Sequence, residues 1–297
     1  MYASEKGGIG SVICHFAQEG MRAGSCSTDA ILHPSHQTDH GFSRAFQGDD
    51  LWTFFAREGN ERYRKRFACA MQVVGKAISR GEGVVTGEVK LLSQYLRPTH
   101  TGFLVVGFSW KDLPQGSTVV DVGGGKGQVV KAIAEAVPHL NFVVQDRPEV
   151  INTSSTPYWE ASTSQELRSR VELVGHDFFT PQPVKDAAVY ILRHIIHDWA
   201  NEESVQILTH LSRAASKSSK LIIIESFFET LASSNAPITA IPYLLDIQML
   251  SIVNAQERTE NEYKSLASKS GWKHVKTWKT GENGEGSFRH YEFEKEG

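Results

Sequence analysis

Residues Ser117–Asp146, "STVVDVGGGKGQVVKAIAEAVPHLNFVVQD", decide the fold. "STVVDVG" carries consecutive valines and no alternation, the pattern of a strand buried on both faces, as in a parallel sheet. A glycine-rich turn follows. In "KGQVVKAIAEAVP" the residues Val129, Val130, Ile133 and Val137 then fall on one face at helical spacing. "LNFVVQD" is a second buried strand. Strand, helix and strand in this order form the unit from which open parallel sheets are built.

Downstream, "RVELVGHD", "AAVYILRHI" and "KLIIIESFF" read as three further strands. A helix over "NEESVQILTHLSRA" takes Asn201 as its N-cap. "APITAIPYLLDIQMLSIV" is helical around Pro242. In "QERTENEYKSLASKSG", Thr259 and Glu262 form a capping box and Gly271 stops the helix. "WKHVKTW" and "SFRHYEFE" are two strands joined by the turn "KTGENGEG". The predicted fold class is α/β: a Rossmann-like, doubly wound, mainly parallel seven-stranded sheet with an antiparallel last strand. A short helical region precedes it. Over residues 41–88, Asp49 or Asp50 caps a helix carrying Trp52, Phe54 and Phe55, and Phe67, Met71, Val74 and Ile78 recur at helical spacing. Residues 1–40 are polar, rich in Gly, Ser and His, and read as irregular. Residues 89–116 form an atypical connector around Pro98. Residues 117–297 make up the sheet domain.

Composition narrows the functional classes. The 297 residues are 40% hydrophobic and 22% charged, with a net charge of −3. That balance gives no bulk attraction to nucleic acid or to an anionic membrane. No apolar run approaches the ~18 residues of a membrane-spanning helix, and the first 20 residues are too weakly apolar for a secretory signal. Cys14, Cys26 and Cys69 form no disulfide framework, which suits a cytoplasmic setting. Cys14, His15, Cys26, His33, His36 and His40 crowd together but match no zinc spacing. They read as scattered surface or loop residues, and no metal site is expected.

In open α/β sheets, ligands bind outside the carboxyl ends of the strands. The predicted strands end at Asp121, at Asp146, at Asp177, at Arg193 followed by His194 and His197, and at Glu225. Five such ends at one rim point to a shared site. The loop spacing, Gly123-x-Gly125-x-Gly127, departs from the dinucleotide pattern G-x-G-x-x-G. Asp121 just before it would repel a pyrophosphate and suits an ammonium group. Asp146, about 20 residues past the loop, stands where a carboxylate takes ribose hydroxyls. These features favour a nucleoside bearing an amino acid, S-adenosylmethionine, over NAD.

On "VVDVGGGKGQVVKAIAEAVPHLNFVVQDRPEVI", "GHDFF", "ILRHIIHDWANEESVQIL", "IIIESFF" and "QERTENEYKSLASKSGWK", the sequence resembles the class I S-adenosylmethionine-dependent O-methyltransferases. The likeness is to the caffeic-acid and hydroxyindole type and its fungal secondary-metabolite members, over residues 117–275. The resemblance implies that Gly123 lies in the loop beneath the methionine half; Asp121 and Gly125, from the strand end and the loop spacing, are read as binding the cofactor with it. The resemblance further implies that Asp146 binds the ribose, Asp177 the adenine amino group, and that Phe178 packs on adenine where Met is frequent. Arg193 stands where Lys is frequent. His197 matches the catalytic base, with Glu225 and Glu257 the flanking carboxylates. His194 matches no catalytic position. The implied substrate is a small hydroxylated aromatic.

The chemistry agrees with these residue types. A sulfonium leaves as a neutral thioether, so no acid is needed. A neutral histidine of pKa near ~6.5 can take the proton of a phenol of pKa near ~10 as attack proceeds. Met249 and its neighbours either line the pocket or belong to the core. The resemblance also implies a homodimer formed through an N-terminal helical domain, of which only residues 41–88 correspond here. The shortened domain and residues 89–107 are read as a truncated product with an unspliced insert. Two other functions stay open: a catalytically impaired, cofactor-binding regulator, and an NAD-dependent oxidoreductase, which the glycine spacing and Asp121 disfavour.

Overall fold

The structure is a computed structural model and describes residues 9–35, 39–79, 108–226, 241–279 and 288–297. The chain divides into two contact units. Among the described residues, the sheet unit holds 108–196, 201–226 and 258–279 with 288–297. The helical unit holds the residues up to 79, then 197–200 and 241–257.

The sheet unit contains β1 Thr118–Val122, β2 Asn141–Asp146, β3 Val171–Gly175, β4 Val189–Arg193, β5 Lys220–Ser226, β6 Trp272–Lys279 and β7 Phe288–Lys295. Their order across the sheet is β3-β2-β1-β4-β5-β7-β6. The first five run parallel. β7 is antiparallel to β5, and β6 is antiparallel to β7 with a bulge between His274 and Lys276. The expected architecture is present. After β3 the chain crosses back to the other side of β1, so strand order reverses between β1 and β4. That crevice is where doubly wound sheets bind ligands.

Burial explains the valine runs. Val119, Val120, Val189, Ile191 and Leu192 are fully buried; Val119, Val189 and Ile191 pack with Val129, Val130 and Ile133 of a helix over Gln128–Ala136 and with Val137 just after it. Each such side chain contributes roughly 1.5–3 kcal/mol of burial. The helix over Glu260–Lys269 begins with the expected reciprocal Thr259–Glu262 box, and Gly271 follows it at φ +80°. The helix predicted from Asn201 spans Asn201–Ala214, with Asn201 as its first residue; the Asn201 Oδ1 accepts from Arg258. The turn "KTGENGEG" and the segment around Pro98 lie outside the described residues.

The helical unit differs from expectation in two ways. Residues 9–32, read as irregular, form α1 Ile9–Cys14, a π-helical turn His15–Gly20 and α2 Met21–Leu32. Small residues, not an apolar stripe, pack this region. Ala23 of α2 is fully buried, and a methyl group added to Gly41 would run into the Ala23 carbonyl oxygen and the Ser27 hydroxyl. Hydrophobic periodicity is blind to such a contact. His15 and His40 are also buried, not surface residues. The π turn puts His15 and Glu19 on one face, Nδ1 to Oε2 at 3.1 Å, where Arg66 also reaches Glu19. His36 lies outside the described residues.

The second difference concerns the boundary. Residues 197–200 and 241–257, placed by the sequence in the sheet domain, belong to the helical unit. The helix Ile241–Val253 sends Ile252 into an aromatic core of Phe42, Phe46, Leu51, Phe54 and Phe55. Phe42 and Phe46 stack at 4.2 Å, with Phe54 edge-on to both. Asp50, not Asp49, caps the helix Leu51–Ala56, accepting from the N–H groups of Trp52 and Thr53. No helix among the described residues is long and apolar enough to cross a membrane.

Two glycines carry opposite expectations. Gly41→Ala, which overlaps fixed backbone, should destabilise by about 1–3 kcal/mol. Gly24→Ala, in a helix with nothing within 4 Å of the added carbon, should stabilise by about 0.5–1 kcal/mol. Urea denaturation of the two variants checks both signs.

Candidate active site

Asp121 lies at the rim of β1 and is buried, and its Oδ2 has no hydrogen-bond partner among the described residues. A carbon added to Gly124 would stand 2.6 Å from that oxygen, so the carboxylate lies under the glycine loop. Burial pushes the Asp121 carboxyl up to about 7, against the pull of Arg193 and with a further push from Asp146. Arg193, ending β4, is lowered by its own burial, while Asp121 and Glu225 favour its charge.

The loop is built by left-handed backbone at Gly123, φ +71°, Gly125, φ +57°, and Gly127, φ +76°, a region that strains other L residues. Asp146 fixes it. Its Oδ2 accepts the Gly125 N–H at 2.9 Å, and its Oδ1 accepts the Arg147 N–H at 2.8 Å. A carboxylate offers about four lone-pair sites, so two remain for other donors. Burial raises the Asp146 pKa. Asp177 is exposed and opens a turn, its Oδ1 accepting from Phe179 N–H at 3.0 Å. The half-buried ring of Phe178 and the side chain of Ile195 both face Gly123. The structure thus gathers Asp121, Gly123, Gly125, Asp146, Phe178 and Arg193 at one rim of the sheet unit. These groups suit S-adenosylmethionine: a buried carboxylate with one oxygen lacking a hydrogen-bond partner among the described residues for an ammonium, a half-committed carboxylate for a diol, and a ring beside a glycine-rich loop.

His197 lies in the 3₁₀ turn Ile196–Asp198. Its Nδ1 is 3.0 Å from Glu257 Oε1, and its Nε2 is 3.5 Å from Asp198 Oδ1. Glu257 is itself held, its N–H donating to Asp246 Oδ1 at 2.9 Å. Burial pushes Asp198 up to about 6, moderated by His197 and reinforced by Glu257. Trp199 stacks on Trp52 at 6.0 Å.

Glu225 performs a task the sequence did not signal. Fully buried, its Oε1 accepts the N–H groups of Ile195, at 3.2 Å, and Ile196, at 2.9 Å, while its Oε2 stands 3.8 Å from His194 Nδ1. Buried Arg258 donates to the Ile196 carbonyl at 2.6 Å and to Asn201 at 3.0 Å. Glu225 and Arg258 therefore brace the backbone just before residues 197–200, and Arg258 also holds the Asn201 side chain just after them. His194 adopts a left-handed backbone at φ +52°, with its ring edge-on to Phe288. Sequence reasoning missed Asp198, whose signal was adjacency to His197 in "HDW". It also missed Arg258, whose partners are set only by the fold.

Residues 105–273 match the model of a family described as O-methyltransferase domain. The chain belongs to this family. S-adenosylmethionine is the cofactor of the family. An O-methyltransferase of Armillaria gallica is 36% identical over 270 residues, covering 82% of this chain and 52% of that protein. The chain spans about half the length of the curated relatives it matches. The methyltransferase fold is shared with mitomycin 7-O-methyltransferase, with TM-score 0.75 and 22% identity over 97% of this chain and 71% of that one. It is shared too with human N-acetylserotonin methyltransferase, solved with S-adenosylmethionine, with TM-score 0.70 and 22% identity over 97% and 70%.

The raised Asp121 pKa carries a sign. A ligand ammonium favours the ionised carboxyl, so binding below pH 7 must expel a proton. Affinity for S-adenosylhomocysteine should weaken about tenfold per pH unit on the acid side and level off above pH 7. Calorimetry in two buffers of different ionisation heat reads the released proton, and Asp121→Asn should abolish the slope. Stability runs the other way: the folded carboxyl binds its proton more tightly than the unfolded one, so the Asp121 contribution declines between pH 4 and 7.

Proposed function

We propose that this chain moves a methyl group from S-adenosylmethionine to a hydroxyl, preferably phenolic, of a small aromatic metabolite, with His197 as general base. The observation that carries this reading is the 3.0 Å contact between His197 Nδ1 and the buried carboxylate of Glu257. A carboxylate accepting from Nδ1–H leaves Nε2 as the basic nitrogen, the arrangement a proton acceptor requires. Asp198 beside Nε2 would stabilise the imidazolium that forms.

In this reading Asp121 takes the ammonium of the cofactor, Asp146 its ribose hydroxyls, and Asp177 its adenine amino group. Phe178 packs on the adenine, and Gly123 leaves room beneath the methionine half. When bound, the cofactor supplies a methyl on a sulfonium that departs as a neutral thioether, so the protein needs to supply no acid. Arg193 tempers Asp121, and Glu225 and Arg258 hold the backbone that leads into the base. The resemblance extends the reading to a homodimer, supported by the exposed Leu244, Ile247 and Leu250 on the helix Ile241–Val253. Free Cys14, Cys26 and Cys69 support residence in the cytoplasm.

The test is incubation with S-adenosylmethionine and a panel of phenols, with methylated products identified by mass spectrometry. His197→Ala should lower kcat by about 10²–10⁴ with affinity for S-adenosylhomocysteine unchanged; turnover equal to the parent removes His197 as the base. Glu257→Gln, which takes away the anion favouring the imidazolium, should move the acid limb of the rate profile to lower pH.

A further inference from the structure

Gln145 is the last residue of β2 before Asp146, set between Val122 of β1 and Val174 of β3. The three strand residues before it, Phe142, Val143 and Val144, are apolar and buried, and this carboxamide is itself only 1% exposed. Its partner is Gln182, also 1% exposed and 37 residues away. Gln145 Nε2 donates to Gln182 Oε1 at 2.8 Å, and Gln182 Nε2 donates to Gln145 Oε1 at 2.8 Å. Two antiparallel amide bonds of this kind set both separation and orientation.

Neither end of the pair is slack. Gln182 stands between Pro181 and Pro183. The ring of Pro183 keeps Gln182 extended, and that of Pro181 fixes its own φ. Gln182 Oε1 also accepts the Val184 N–H at 3.0 Å, and the Val184 carbonyl accepts from Tyr190 of β4 at 2.8 Å. At the other end, the Gln145 carbonyl accepts the Gly124 N–H at 2.9 Å. One residue thereby joins the glycine loop, the end of β2 that bears Asp146, and the segment that bears Asp177 and Phe178.

We propose that Gln145 and Gln182 are positioning residues for the adenosine half of the cofactor. Their reciprocal amide pair sets the span between the ribose carboxylate of Asp146 and the Asp177–Phe178 turn. This rests on the roles assigned above to Asp146, Asp177 and Phe178. A purely packing role would be filled as well by two leucines, which leave no buried amide unpaired. A positioning role would not, because apolar contact fixes neither distance nor direction.

The test compares S-adenosylhomocysteine with S-inosylhomocysteine, in which an oxo group replaces the 6-amino group, by calorimetry, alongside the melting temperature of each variant. The parent should prefer S-adenosylhomocysteine by about tenfold or more, the loss expected when a hydrogen bond to a charged group is removed. Gln145→Leu and Gln182→Leu should each lower both the melting temperature and the preference. The double variant Q145L/Q182L should recover most of the melting temperature while the preference falls below about threefold. If the double variant does not fold, Gln182→Asn, which keeps an amide but shortens its reach, must show the same loss of preference. Variants that keep the ratio of the parent overturn the positioning role alone. A parent with no preference overturns the reading of Asp177 and this proposal with it.

Discussion

The hydrogen bond from Gly125 N–H to Asp146 Oδ2 is the constraint from which the sheet-side site follows. It ties a loop of left-handed glycines to the strand beside it. With the loop so held, backbone lies over Asp121 and hides its carboxylate from water. The same bond commits one lone pair of Asp146 Oδ2, as the Arg147 N–H commits one of Oδ1. Burial raises both carboxyl pKa values.

His197 is supported differently. Residues 197–200 group with the helices, while the backbone before them and the Asn201 side chain after them are held inside the sheet unit by Glu225 and Arg258. Each brace is a buried charge whose hydrogen bonds go to main chain or to an amide. Removing either would leave an uncompensated group in the interior, a strongly destabilising change. The helical unit in turn supplies Glu257, Trp52 and the aromatic core.

Legibility in the sequence followed the physics of each signal. Buried parallel strands leave uninterrupted valines, so β1, β2 and β4 could be read directly, as could the capping box at Thr259. The rim carboxylates were found because topology gathers strand ends. Residues 9–32 were missed because Ala23, Ser27 and Gly41 pack by smallness, which leaves no apolar period. Helix Ile241–Val253 was legible as a helix, but the packing of Ile252 against Phe42 and its neighbours was not, since a largely apolar helix does not announce its partner. Asp198 and Arg258 escaped because their roles depend on contacts that no spacing encodes. Glu225 was recognised, but its bonds to Ile195 and Ile196 were not, for backbone acceptors leave no sequence trace.

His194 shows how a single backbone angle can govern which sequences survive at a position. Its left-handed conformation costs an ordinary residue about 1–2 kcal/mol, and Asn, Asp or Gly noticeably less. Sequence drift at this site is therefore filtered by shape before chemistry: Val, Ile or Thr would resist the bend that carries the chain from β4 toward His197. A polar residue there owes its place as much to the curve of the main chain as to the imidazole it presents.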